Sequence, residues 1–252
     1  MSHPRFFLAG LLAPAGEDAV LPLSSDDVHH LRDVLRMVPG ERVVVVSPDG
    51  TANVARLTGV REEVRAVVEE TLSRTARPRV TLAQGLPKGA KLDDVVRQAT
   101  ELGVAAVVPF AAARSIVRLD AAKGEERAAR WDRIAAQAAK QSSRVDVPGV
   151  SAPVSFEALL SLVSAADAAI VCWEEAGEGA VSVGAGLRAA GAGPDSAVVV
   201  VVGPEGGLST AEVEWLVEAG AVTVGLGPSI LRTETAAIAA LALTLYELGG
   251  LG

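Results

Sequence analysis

The chain has 252 residues, half of them apolar and 3% aromatic, with a formal net charge of −8. It is long enough for one large domain or two small ones with a sizeable core, and too acidic overall for a uniformly basic nucleic-acid binder. Its single cysteine, Cys172, excludes an internal disulfide and a cysteine-based zinc site, and fits a reducing compartment.

The opening stretch, MSHPRFFLAG, has no basic start followed by a long apolar core, so no signal peptide is expected. SSDDVHHLRDVLRM predicts a helix. Ser24 or Ser25 serves as cap, the aspartates favour a helix N-terminus, and Val28, Leu31 and Leu35 recur on one face. RVVVVS, TANVARLTGV and EVRAVVEETL read as strands separated by turn residues. Residues 1–74 are thus expected to form a small β-rich domain with one helix. SRTARPR is the candidate linker to a second domain, 75–252.

From Val80 onward the pattern changes. VTLAQG is a buried strand, KLDDVVRQATELG an amphipathic helix closed by Gly103, and VAAVVPF a strand. GEERAARWDRIAAQAAKQSSR predicts a long helix with basic residues on its exposed side. SFEALLSLVSAA is a helix, AAIVCW a strand, and the glycine-rich stretch 178–193 takes no assignment. AVVVVVG reads as a strand covered on both faces. STAEVEWLVEAG is a helix with a capping box at Ser209 and Glu212. AVTVGLG is a further strand, and an alanine-rich helix ends the chain. Such strand–helix alternation implies an α/β fold with a mostly parallel sheet. No apolar run approaches the roughly 20 residues of a membrane span, and a cytoplasmic protein is expected.

Charge is uneven along the chain. Residues 1–75 carry a net −3, residues 76–150 a net +5 and residues 151–252 a net −10. A basic middle third on an acidic protein marks either a polyanion-facing surface or a solvated helix face. Lys88 and Lys91 stand at a helix start, where acids are usual, and suggest phosphate contact. Arg114 and Arg118 follow the next strand. His29 and His30 have no cysteine or acidic cluster to complete a metal site, so no metal is expected.

Two loops follow predicted strand ends, the edge where open α/β sheets bind ligands. VVVGPEGGLSTAE frees the backbone at Gly203, Gly206 and Gly207 and leads into a helix N-terminus. It is neither GxGxxG nor a Walker loop, and by itself reads more readily as a plain strand–turn–helix corner. The second loop is LGPSILRTETA. Thr233 or Thr235 could cap the last helix, and Glu234 suits its positive end. Arg232 is the anomaly, because a cation there is unfavourable without an anion. Either it pairs with Glu234 or Glu205, or it is aimed at negative charge developing in a substrate.

GPEGGLSTAE and LGPSILRTETA, followed by an alanine-rich final helix, resemble the SPOUT methyltransferases. PRFF, HHLRDVLRMVPGE, KGAKLDDVVRQATELGV and RWDRIAAQAAKQSSR extend the resemblance along the whole chain. It is most similar to the SPOUT family that methylates N3 of a uridine in 16S ribosomal RNA of the small subunit. The resemblance implies a C-terminal α/β domain tied in a deep trefoil knot, preceded by a small PUA-like β-barrel that helps hold RNA. It also implies a homodimer and a bound S-adenosyl-L-methionine. The cofactor cradle it implies comprises Trp173, then Gly203, Pro204, Glu205, Gly206 and Gly207. Leu226, Gly227, Ile230, Leu231, Arg232, Thr233, Thr235 and Ala236 complete it.

Uridine N3 is a poor nucleophile until its proton leaves, and the resulting charge spreads onto the ring carbonyls. An arginine near those oxygens would stabilise the anion. Arg232 takes that role here, with Arg5 and Arg114 as rivals. Glu234 either accepts the N3 proton or caps the helix and orients Arg232. The base must be unpaired to be reached. Arg5, Lys88, Lys91, Arg114, Arg118 and Arg144 form the expected RNA track.

Overall fold

The computed structural model describes residues 3–12, 16–72, 78–115, 121–174 and 180–251. The chain divides into two compact units, 1–76 with 140–146, and 77–139 with 147–252. Among the described residues no helix is long and apolar enough to cross a membrane.

The first unit holds a five-stranded sheet. Its strands are β1 (Arg5–Phe7), β2 (Asp18–Val20), β3 (Arg42–Val46), β4 (Ala52–Gly59) and β5 (Arg65–Leu72), in the order β1-β3-β4-β5-β2. Only β1 and β3 run parallel. Among the described residues β1 and β2 are free edges, so the expected barrel is a half-barrel sheet. Val43 and Val45 face a core with Phe6, Leu31, Ala55 and Leu57, while Val44 and Val46 pack with Phe7, Val54 and Val145. Both faces of β3 are therefore covered, which explains its unbroken valines. Val145 comes from the 140–146 segment. That segment is fastened by Lys140 to Asp27 at 2.5 Å, and by the Arg5 guanidinium donating to the Ser143 carbonyl.

Ser24 caps α1 (Ser25–His29), accepting from the Asp27 N–H. The helix then widens into a π-turn over His30–Val34, where the Leu35 N–H reaches back to the His30 carbonyl. This wider step turns Leu35 away from the core. Leu31 is fully buried, whereas Leu35 stays exposed against its expected place on the same face.

The second unit is a parallel sheet of six strands: β6 (Arg79–Gly85), β7 (Ala106–Phe110), β8 (Gly149–Val150), β9 (Ala168–Cys172), β10 (Ala197–Val202) and β11 (Ala221–Val224). Their order is β11-β9-β10-β6-β7-β8. Val198, Val200 and Val202 of β10 pack into one core layer, Val199 and Val201 into the other. The first layer includes residues of α2 (Lys91–Leu102), α3 (Ala121–Gln141), α5 (Val183–Ala189) and α7 (Thr233–Glu247). The second includes residues of α4 (Phe156–Ser164) and α6 (Thr210–Glu218). Side chains alternate along a strand, so this two-sided burial is why β10 is almost pure valine. Ser209 and Glu212 form the expected capping box of α6.

Candidate active site

The carboxyl ends of β9, β10 and β11 and the N-terminus of α7 enclose a cavity of about 410 Å³. β9 delivers Cys172, Trp173 and Glu174. β10 delivers Val202 and, beyond its end, Gly203, Pro204, Glu205 and Gly207. Residues 225–232 leave β11 and run along the wall to Thr233 and Ala236. The size falls in the range of roughly 300–1,000 Å³ common for small-molecule sites, and the edge is the one open α/β sheets use.

Most residues that the family resemblance assigns to the cradle line this cavity; Gly206 and Thr235 do not. A Cβ on Gly206 would meet Arg114 of the post-β7 loop at 3.1 Å, so that glycine faces its neighbour loop. Thr235 is exposed in the first turn of α7. The sequence missed Lys91, Cys172, Glu174, Ala180, Val202 and Gly225 as lining residues. For Cys172 and Glu174 the missing information was strand order, since β9 abuts the site only because it lies between β10 and β11.

Neither Thr233 nor Thr235 caps α7. The N-cap position is Arg232, whose side chain makes no capping hydrogen bond. Thr233 instead turns inward, donating its hydroxyl to the Gly203 carbonyl at 2.6 Å. The Gln84 amide, fully buried at the end of β6, donates to the Thr233 hydroxyl at 2.8 Å and to the Gly203 carbonyl at 3.3 Å. This network fastens the start of α7 to the ends of β6 and β10. Its sequence signal was a lone amide in an otherwise apolar strand. Buried polar groups carry a cost unless satisfied, and that makes such a residue informative.

Arg232 pairs with neither Glu205 nor Glu234. Both carboxylates face Lys91, at 3.0 Å and 3.4 Å. Glu205 also accepts from the Lys88 backbone N–H at 3.0 Å. Burial pushes the Glu205 carboxyl up, but the Lys91 hydrogen bond and the backbone donors outweigh it and hold the group below its usual range. The Glu205 hydrogen bond raises Lys91 in turn. Arg232 is left exposed at the mouth, its side chain without a hydrogen bond or ion pair to any described residue.

The expected RNA residues separate. Lys88 is exposed. Arg114 is exposed, and its guanidinium donates to the Gly206 and Leu208 carbonyls. Arg5 lies in the first unit and Arg118 outside the described residues. Arg144 needs correcting: only 2% exposed and paired with Asp146 at 2.8 Å, its guanidinium serves the first unit's packing instead of facing phosphate. Lys91 is likewise committed to carboxylates.

Two further features belong to residues of the cavity wall. The Trp173 indole N–H is buried with no partner among the described residues. Gly207 has φ +69°, and a Cβ there would come within 2.2 Å of Glu174 Oε1. Cys172 is inert by contrast, because burial pushes its thiol up to about 12. Iodoacetamide at mildly alkaline pH should leave the folded protein unmodified and alkylate the unfolded chain fully. Rapid alkylation of the folded protein would show the thiol to be open to solvent.

The family model for an RNA methyltransferase domain matches residues 74–245, and that for an RNA methyltransferase PUA domain matches residues 23–69. The chain is 38% identical over 247 residues to ribosomal RNA small subunit methyltransferase E of Bacillus subtilis, covering 96% of each. It is similar to the crystal structure of the Neisseria gonorrhoeae protein of that name bound to S-adenosyl methionine, with 32% identity, a TM-score of 0.80 and 96% of each chain covered. A protein from Legionella pneumophila, in complex with the same cofactor, shows 26% identity and a TM-score of 0.80 over 97% of each chain. A methyltransferase model across most of the chain, and a relative 38% identical over 96% of both chains, place this chain in the ribosomal RNA small subunit methyltransferase E family.

Proposed function

We propose that the chain transfers a methyl group from S-adenosyl-L-methionine to N3 of a uridine in 16S ribosomal RNA of the small subunit. The observation that carries this reading is the cavity at the carboxyl edge, with the uncommitted Arg232 at its mouth, in a chain of this family. Gly203 and Gly207 in the cavity wall let the backbone come close to a ligand. Gly203–Glu205, Gly207, Leu226–Thr233 and Ala236, which line the cavity, would hold it. When bound, the cofactor supplies an electrophilic methyl group on a sulfonium.

This chain's residues then have three tasks. The cavity walls align the partners and exclude water. Arg232 stabilises the uracil anion through its carbonyl oxygens. Arg5 and Arg114 are weaker claimants, because their guanidinium groups already donate to backbone carbonyls. Glu234, held by Lys91, orients the start of α7 rather than taking the N3 proton. Lys88, Arg114 and Arg118 form the RNA track, with the 1–74 domain holding further RNA and 75–252 carrying the knot and the chemistry. The protein acts as a cytoplasmic homodimer without a metal. The exposed Leu243 and Tyr246 on α7 suit a subunit interface.

The test is incubation with labelled S-adenosyl-L-methionine and small subunits lacking the modification, followed by digestion of the RNA. Label in N3-methyluridine is the expected result. No label on subunits or naked RNA, with cofactor bound, would turn the reading to a non-catalytic RNA-binding factor. Lys88→Glu should weaken RNA binding and lower its salt slope by about one or more. An unchanged slope would remove Lys88 from the track.

A further inference from the structure

Lys91 opens α2, a position where a cation is unfavourable because the helix N-terminus is itself positive. The adjoining N-cap, Ala90, offers no side-chain hydrogen bond. Something must offset that placement. The ammonium lies 3.0 Å from Glu205 and 3.4 Å from Glu234. Glu205 follows β10; Glu234 is in the first turn of α7. These segments form part of the cavity wall, and Lys91 lines the cavity beside them. The side chains are only about one-third exposed: 37% for Lys91, 28% for Glu205 and 27% for Glu234.

From this arrangement we infer that Lys91 is a positioning residue, clamping the two walls of the cofactor cavity to the start of α2 instead of contacting RNA. The inference rests on the proposed cofactor reading for its functional consequence, but not for its geometry. Without the clamp, Glu205 keeps the Lys88 N–H and Gly203 keeps its bond to Thr233, so the walls remain attached at depth. Glu234 loses its only ion-pair partner among the described residues, and two carboxylates are left facing each other across the mouth. The expected effect is loosening of the mouth, not collapse of the fold. A cavity that must be ordered by its ligand binds that ligand more weakly.

Three measurements on the intact protein test this. Calorimetric titration with S-adenosyl-L-methionine should show Lys91→Met about 10-fold weaker than wild type, with Lys91→Arg restoring most of the loss. RNA affinity across a salt series should keep the wild-type slope in Lys91→Met. A slope lower by about one, with cofactor affinity unchanged, would make Lys91 a phosphate contact and overturn the clamp. Failure of wild type to bind the cofactor would instead sink the proposed function and leave the clamp to be judged by unfolding. There, Lys91→Met combined with Glu205→Gln should lose less stability than the two single losses together. Strictly additive losses would overturn the clamp by a route that needs neither cofactor nor RNA.

Discussion

Arg232→Ala should slow methyl transfer by about 100- to 1,000-fold, the usual cost of removing one donor from developing negative charge. Cofactor affinity should stay within a few-fold of wild type. The expectation follows from what Arg232 does not do. Its side chain caps nothing and pairs with no described carboxylate. Its backbone carbonyl still accepts from the Ala236 N–H at 2.8 Å after truncation, so the first turn of α7 survives. Glu205 and Glu234 keep Lys91 and are not orphaned. Arg232→Lys should recover only part of the rate, because a compact ammonium on a flexible stem does not reproduce the fixed donors of a planar guanidinium. Single-turnover transfer of labelled methyl, paired with calorimetry, separates the outcomes. Loss of cofactor binding would show the Arg232 side chain to hold the cofactor rather than the uracil, and undiminished transfer would remove it from the chemistry.

The Arg232 case also shows how far the residues alone could lead. The anomaly was visible in the sequence: a cation at a helix mouth beside two available carboxylates. Its resolution was not, because Lys91 comes from more than a hundred positions earlier and reaches those carboxylates only once β6 lies beside β10. The same limit hid Gln84. A polar residue in a buried strand announces a partner but does not name it, and Thr233 stands 149 positions away. Element types and the parallel sheet were easier to read, since periodicity and caps are local; the strand order of the large sheet was not. Where local signals failed, packing had overridden them. The unassigned glycine-rich stretch contains α5, where a Cβ on Gly186 would lie 2.3 Å from Val224 Cγ1. That glycine reads as a helix breaker, yet it is what lets the helix sit close to β11.

Gly85→Ala should be the most damaging small substitution near the site. Gly85 ends β6, and a Cβ there would lie 2.5 Å from both the backbone nitrogen and Cδ of Pro204, and 2.9 Å from the Gly203 carbonyl carbon. No flexible side-chain tip can move aside. The loop after β10 must shift as a unit. It carries the Gly203 carbonyl, which Thr233 and Gln84 both use, and Glu205, which binds Lys88 and Lys91. One methyl group therefore strains the inner network and the outer ion pairs together. The expected cost is about 1–3 kcal/mol of stability, typical of overpacking, with cofactor binding lost outright. Gly149→Ala is the matched control, because nothing lies within 4 Å of that Cβ and Gly149 ends no cavity wall. It should stay within about 0.5 kcal/mol of wild type. Denaturant unfolding and calorimetry on the two variants decide the matter. Should Gly85→Ala match the control in both, the close approach of β6 to the post-β10 loop would not be what shapes the site.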